Sequence, residues 1–413
     1  MTELGTDPFA ALYADRAHGM SESAVRALFA VASRPEVISF AGGSPYVRAL
    51  PMDRVLEAAR RAIVDRGDVA LQYGGGQGHL GLREQLVNVM AAEGVAADPE
   101  HLVITEGAQQ ALDIIGKLFI NPGDTVALEA PAYVGGLSAF SLYQPRYLQI
   151  PLDDDGMIVE GLEEALLRGE RPKFLYTVPN FHNPAGVTLS YERRVRLVAV
   201  CREAGIPILE DNPYGMLRFE GDPVPSLRSM DPENVIYLGT VSKIFAPGMR
   251  LGWILGGDGL IAKAILAKEA ESLCASHFTQ LVTEEYLKLA DFREGVAGFV
   301  DVYRSRRDAM LRALEAHFPE DATWTHPSGG FYVWVTLPDH FDTSAMLTAA
   351  VERLVAYVPG AAFYADGTGH NKMRLAFCYA TEERIEEGIG RLAELLAHED
   401  ELYRSLSAAP VAD

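Results

Sequence analysis

The feature that most narrows the possible folds is an alternation of two hydrophobic periods through the middle of the chain. Short β-branched runs stand at LVIT (102–105), TVALEA (125–130), KFLYTV (173–178), IPILE (206–210), VIYLG (235–239) and RLGWIL (250–255). Stretches with helical spacing lie between several of them, including 107–119 and 191–205. Continuous apolar strands joined by helices predict a mainly parallel α/β sheet, because parallel neighbours need a long crossover and a helix satisfies its own backbone on the way. Open sheets of this kind hold ligands at the carboxyl ends of their strands.

The last third reads differently. A helical pattern over about 280–317 is followed by strand-like runs at 329–337, 354–359 and 372–380, with helical segments between them. This predicts a second, smaller α+β domain. A chain of 413 residues exceeds one typical core, so two domains are expected. Residues 1–45 are too short to fold alone. The division expected is 46–300 as the large domain, with 1–45 and 301–413 forming the small one.

Polar residues gather at the predicted strand ends. After 102–105 comes Glu106-Gly107-Ala108-Gln109, opening a helix. After 173–178 comes a segment containing Asn180, His182, Asn183 and Gly186. Asp211, Asn212 and Tyr214 follow 206–210, and Thr240, Ser242, Lys243 and Arg250 follow 235–239. One rim therefore collects an acid, a lysine, a tyrosine, hydroxyls and an arginine.

Each of these types has a task in pyridoxal 5′-phosphate (PLP) chemistry. A lysine forms a Schiff base with the aldehyde and later carries the substrate α-proton, which makes Lys243 the candidate. A carboxylate must pair with the protonated ring nitrogen, a task for Asp211. A phosphate dianion is suited by backbone N–H groups at a helix start, here Gly107, Ala108 and Gln109, with Thr240, Ser242 and Arg250 completing the cradle. Tyr214 and Asn183 can donate to the ring 3′-oxygen. Tyr133, after 125–130, can stack on the ring face.

The blocks SESAVRALF, VISFAGGSP, LQYGGGQGHLGLREQL, EGAQQALD, PNFHNPAG, DNPYG, TVSKIFAPGMRLGW and RLAFCYAT occur in this order over roughly residues 20 to 385. In them the chain resembles the fold-type I, class I/II PLP aminotransferases, and within these the 2-aminoadipate and kynurenine aminotransferase group. The resemblance implies the PLP-dependent transferase fold, with a mainly parallel seven-stranded-type sheet in the large domain. It implies a homodimer with shared active sites that moves the amino group of an L-amino acid to a 2-oxo acid such as 2-oxoglutarate, by a ping-pong route; a cytoplasmic location is expected separately, from three scattered cysteines and an N-terminus without a basic-then-apolar signal pattern. It assigns Lys243 and Asp211 as catalytic, and Asn183 and Tyr214 as 3′-oxygen ligands. It also implies Arg374 as the α-carboxylate ligand and Tyr73 as a residue reaching the partner subunit's phosphate. Gly42 and Gly43 match a turn beside the substrate. Ser23 and Arg26 match a short N-terminal helix that contacts the substrate side chain.

The chain departs from that pattern at His182, where glutamine is usual, at Ser44-Pro45-Tyr46-Val47-Arg48, and at Gly74-Gly75-Gly76. These positions bear on substrate choice and leave open elimination, racemisation, or oxidative or cyclising chemistry on the same cofactor. A transcription regulator with an aminotransferase-like domain is the further alternative. It needs a DNA-binding region ahead of blocks that begin near residue 20, and a formal net charge of -21 opposes a polyphosphate partner. Cys201, Cys274 and Cys378 show neither disulfide-framework nor metal-ligand spacing, and no bound metal is expected. No apolar run approaches the ~20 residues that span a bilayer. Most of the site residues also have a plainer reading: Asp211 as a cap, Arg374 as an ion-pair partner, Tyr133 and Tyr214 as packed aromatics, Ser23 as a helix cap.

Overall fold

The computed structural model describes residues 7–18, 20, 34–289 and 292–407. Among them, an eight-stranded sheet runs in the order β1 (Leu102–Thr105), β8 (Gly252–Leu255), β7 (Val235–Thr240), β6 (Ile208–Asp211), β5 (Leu175–Thr177), β2 (Thr125–Ala130), β3 (Arg146–Asp153) and β4 (Gly156–Met157). Strands β7, β6, β5, β2 and β3 are parallel to their neighbours in that series. Strand β8 is antiparallel to both β1 and β7, and β4 folds back on β3. All four residues of β1, β6 and β8 are buried, as are all six of β7. This is why the central runs carry almost no polar alternation.

Strand β3 was not among the sequence-predicted strands. It lies towards the sheet edge, its residues are mostly half-buried or exposed, and Pro151 sits within it. Its mixed pattern therefore lacks the continuous apolar signal of a central strand. The helix Ala108–Phe119 follows β1 and buries Ala111, Leu112, Ile114 and Ile115 on one face. Each large aliphatic side chain so buried contributes about 1.5–3 kcal/mol relative to exposure. Gly107 caps this helix at φ +80°, a conformation that an L side chain adopts only with strain.

A second sheet is antiparallel throughout: Thr323–Trp324, Tyr332–Thr336, Lys372–Ala376 and Val358–Pro359, in that order. Arg374 stands in its third strand, paired with Trp334 on one side and Val358 on the other. The run at 354–359, read from sequence as one strand, divides in two. Val355–Ala356 pairs in parallel with Ile38–Ser39, whereas Val358–Pro359 joins the second sheet. The helical pattern over 280–317 is described as two helices, His277–Leu289 and Phe292–His317. The first packs on the helix Met52–Val64 and the second on the last helix, Glu382–Ser407.

The segment at 38–40 is tied to the second sheet's side of the molecule. A Cβ on Gly388 of the last helix would lie 2.6 Å from the Phe40 ring and 2.8 Å from Ile38 Cγ2. This close approach fixes the chain just ahead of the Gly42-Gly43 turn. Among the described residues, no helix is long and apolar enough to cross a membrane.

Candidate active site

The carboxyl ends of β2, β5, β6 and β7 and the start of the helix Ala108–Phe119 face the second sheet across a cavity of about 300 Å³. Its lining includes Ala108, Gln109, Tyr133, Asn183, Asp211, Tyr214, Thr240, Ser242, Lys243, Arg250, Gly43 and Arg374. Sequence-predicted residues from seven separate chain segments thus meet at one place. Gly107 caps the helix at its edge. Tyr73 is 77% exposed and does not line this cavity. Ser23 and Arg26 lie outside the described residues.

Lys243 Nζ donates to the Gly43 carbonyl at 2.8 Å and lies 5.5 Å from the centre of the Phe331 ring. Burial, aided by the Arg374 and Arg250 charges and opposed by the Cys378 thiol and Asp211, lowers its pKa to about 8. Asp211 is 2% exposed. Its Oδ2 accepts the Tyr176 hydroxyl at 2.9 Å, while its Oδ1 is buried with no hydrogen-bond partner. Burial raises its carboxyl to about 7, against the lowering effects of Tyr176 and Lys243.

Thr240 Oγ1 donates to the Leu251 carbonyl at 2.8 Å, accepts the Ser242 N–H at 3.1 Å and lies 2.9 Å from Ser242 Oγ. Arg250 is exposed and adopts φ +53°, an uncommon conformation for a non-glycine residue. Its guanidinium donates to the Pro247 and Glu106 carbonyls at 3.3 and 3.2 Å. A Cβ on Gly107 would fall 2.7 Å from Arg250 Nη2, so only glycine leaves that guanidinium where it stands. Hydroxyls, a guanidinium and a helix N-terminus converge on this corner of the cavity.

At the opposite wall, Arg374 is 3% exposed. It donates to Asn183 Oδ1 at 2.8 Å and to the Ala41 carbonyl. Its Nε is buried without a partner, and no carboxylate pairs with it among the described residues. A guanidinium buried without a counter-charge is costly unless an anion completes the site.

Four residues outside the sequence-predicted set belong to this constellation. Tyr332 packs 4.3 Å from the Arg374 guanidinium, and its hydroxyl lies 3.3 Å from that of Tyr214. Tyr176 holds Asp211. The Cys378 thiol donates to the Ser44 carbonyl at 3.3 Å and braces the turn that Lys243 also touches. Glu129 is buried beside this wall. It accepts Thr177 Oγ1 at 2.7 Å and the Val178 N–H at 2.9 Å, and lies 3.1 Å from His182 Nε2. Tyr176 and Glu129 stand in strands read only for their apolar content, where nothing in the local pattern marks the side chain that points at the site.

Residues 35–392 match the family model described as "Aminotransferase class I and II". The chain is 43% identical over 403 residues to aromatic-amino-acid aminotransferase 1 of Thermococcus litoralis, covering 96% of this chain and 97% of that protein. It is 38% identical over 378 residues to the 2-aminoadipate transaminase of Thermus thermophilus, covering 91% and 94%. The crystal structure of Pyrococcus horikoshii kynurenine aminotransferase, solved with PMP, superposes with a TM-score of 0.90 at 43% identity, covering 94% of this chain and 98% of that one.

The chain therefore belongs to the class I and II aminotransferases, which are PLP-dependent transaminases. The residues present fit that cofactor on their own chemistry. The unpaired Asp211 Oδ1 is an acceptor waiting for a cationic ring N–H, and the Gly107–Arg250 corner offers donors to a phosphate.

Proposed function

We propose that the chain transfers the amino group of an L-amino acid with an aromatic, 2-aminoadipate-like or other extended side chain to 2-oxoglutarate, with Lys243 and Asp211 as its catalytic residues. The observation that carries this reading is the sharing of one 300 Å³ cavity by the Lys243 amine, the unpaired Asp211 oxygen and the uncompensated Arg374 guanidinium. The relatives named above act on aromatic amino acids, 2-aminoadipate and kynurenine, which supports the donor class.

When bound, PLP supplies an aldehyde for the amino group and a protonated ring that accepts the electron pair of the broken Cα–H bond. Arg374 takes the α-carboxylate bidentately and turns the Cα–H bond towards Lys243. With its pKa near 8, Lys243 has an appreciable neutral fraction at physiological pH and removes the α-proton as a base. Its Nζ then holds that proton. Asp211 holds the ring proton, and Tyr176 fixes the carboxylate that does so. Asn183 and Tyr214 would donate to the ring 3′-oxygen, Tyr133 would lie against the ring, and Gly107, Ala108, Gln109, Thr240, Ser242 and Arg250 would hold the phosphate. Gly43 closes the substrate side.

The same reading keeps residues 46–300 as the large domain, with 1–45 and 301–413 as the small one; the pairing of Ile38–Ser39 with Val355–Ala356 supports it. It also makes the active form a homodimer in the cytoplasm, with Tyr73 serving the partner's phosphate. Support comes from the exposure of Tyr73 away from its own cavity and from three free cysteines. Ser23 and Arg26 contact the substrate side chain, so Arg26→Ala lowers kcat/KM for dicarboxylic substrates relative to apolar ones. The test of the function is a donor panel with 2-oxoglutarate, read as glutamate formed. Formation of glutamate from aromatic amino acids or 2-aminoadipate supports the reading. Failure of every donor, with amino acid consumed by another route, overturns it.

A further inference from the structure

A cavity of about 540 Å³, larger than the catalytic one, lies elsewhere in the described residues. It lies between the N-terminal turns of the helix Phe292–His317 and the loops that follow β5 and β6. Its volume is in the range of clefts that hold small ligands, roughly 300–1,000 Å³.

The two walls differ in chemistry. One carries an apolar stripe, Phe292, Val296, Ala297 and Val300 along the helix with Met216 opposite, flanked by Arg293, Asp301 and Arg304 of the same helix. The other carries Glu93, Asn180, Asn212 and Arg218. Three of these polar residues are already engaged. Glu93 accepts Asn212 Nδ2 at 3.1 Å and the Tyr237 hydroxyl at 3.4 Å, and Asn180 Nδ2 donates to Asn212 Oδ1 at 2.9 Å.

Arg218 is the exception. It is half-buried and stacks 4.8 Å over the Phe181 ring, yet among the described residues it makes no side-chain hydrogen bond and no ion pair within 4.0 Å. Burial holds its pKa below the ordinary arginine value, against the Glu93 and Asp222 carboxylates, which act on it from beyond ion-pair distance. A guanidinium with a free fork beside an apolar wall matches an anion with an apolar body. Glu93 and Asp301 on the same lining repel a dianion such as phosphate more strongly than a monoanion.

We propose that this cavity is a second ligand site, which takes a small monocarboxylate with a body the size of an aromatic ring. Its carboxylate sits on Arg218 and its body lies against Phe292, Val296 and Val300. The site shares its walls with the catalytic cavity: Asn180 and Asn212 line the first, while Asn183, Asp211 and Tyr214 from the same two loops line the second. A ligand here touches the backs of the loops that carry the catalytic groups.

The probe is 3-phenylpropionate, which has the carboxylate and the ring but no amino or oxo group to react. Equilibrium dialysis is run on the PLP-loaded enzyme with aminooxyacetate filling the catalytic centre. One bound probe per chain is expected. Phenethyl alcohol, the same body without the carboxylate, is expected to bind at least about 10-fold more weakly, the worth of a charge-assisted hydrogen bond. Arg218→Met should weaken the probe by a similar factor, and Ala297→Trp should abolish its binding by filling the cavity. Cofactor absorbance reports whether each variant is folded; if Ala297→Trp loses it, Arg218→Met alone decides. No probe bound beside aminooxyacetate overturns the proposal. So does binding that Arg218→Met leaves unchanged, which would place the probe elsewhere, or equal binding of the alcohol.

Discussion

A carboxyl group buried like Asp211, with one oxygen unpaired, destabilises the chain that carries it whenever it is ionised. Its pKa is about 7 in the folded, cofactor-free chain against an ordinary value of 3.8. Between those two pH values the folded chain holds a proton that the unfolded chain has released. Stability from this group is therefore full below about pH 4, falls as pH rises, and is lost above about 7. The cost at pH 8 is on the order of a few kcal/mol. Asp211→Asn keeps the shape and an acceptor for Tyr176 but removes the charge. The cofactor-free variant should unfold at higher urea than wild type at pH 8, with the difference gone near pH 4. Its transamination should fall by several orders of magnitude, because the missing charge acts on the carbanion-like transition state. Equal urea midpoints at pH 8 would show that the ionised carboxylate is not strained in the empty site. Lys243→Ala tests the other half. It should retain the fold and non-covalent PLP but lose nearly all turnover in a single-turnover assay, since nucleophile and base are one group.

Two elements from opposite ends of the chain set the substrate wall, and they set it by contact. A Cβ on Gly43 would lie 1.9 Å from the Tyr332 hydroxyl and 2.9 Å from its ring carbon. Gly43→Ala must therefore push Tyr332 off Arg374 or shift the turn that Lys243 touches. We expect Gly43→Ala to raise KM about 10-fold or more, with Tyr332→Phe in the same chain recovering part of the loss. Additive effects in that double-mutant cycle would mean that the two positions do not meet. This contact also shows what sequence reading reaches. Lys243, Asp211 and the Gly107 helix start were legible because strand, turn and helix signals place them at sheet ends. Arg374 was reached through the RLAFCYAT resemblance, and its register opposite Trp334 and Val358 through the fold alone. Tyr332 was not legible: in the run GGFYVWVTL nearly every side chain is apolar or aromatic, so alternation does not tell which face meets the cavity. The run at 354–359 misled for a related reason. Leu354 takes φ +59°, and the residues beyond it are buried in two different sheets, which continuous hydrophobicity cannot distinguish from one strand.

At the scale of the molecule, the helix Met52–Val64 poses a question that one chain does not answer. Its Ala58 and Ala62 are buried, and it packs against His277–Leu289. Its other side leaves Met52, Leu56 and Ile63 exposed, at spacings that put them on one face, and Leu71, Tyr73 and Leu80 are exposed just beyond it. Apolar side chains gathered in one region, rather than scattered, mark an interaction surface, and we expect a second copy of the chain to cover this one. A two-fold axis through this region would present each Tyr73 to the other subunit, and a two-fold dimer is the commonest assembly among soluble homo-oligomers. Leu56→Glu separates the possibilities, because Leu56 is 72% exposed in the single chain. On a monomer the substitution costs almost nothing, as surface changes usually stay within about 0.5 kcal/mol. On a dimer it buries a charge with no partner, which costs several kcal/mol for each copy and so disfavours assembly strongly. Sedimentation at micromolar concentration should find wild type as a dimer and Leu56→Glu shifted to monomer, with an unchanged far-ultraviolet circular dichroism spectrum. Activity should fall with the dimer fraction, and dilution of wild type should reproduce that loss. A wild-type monomer with full activity would remove the interface and return Tyr73 to an ordinary surface residue.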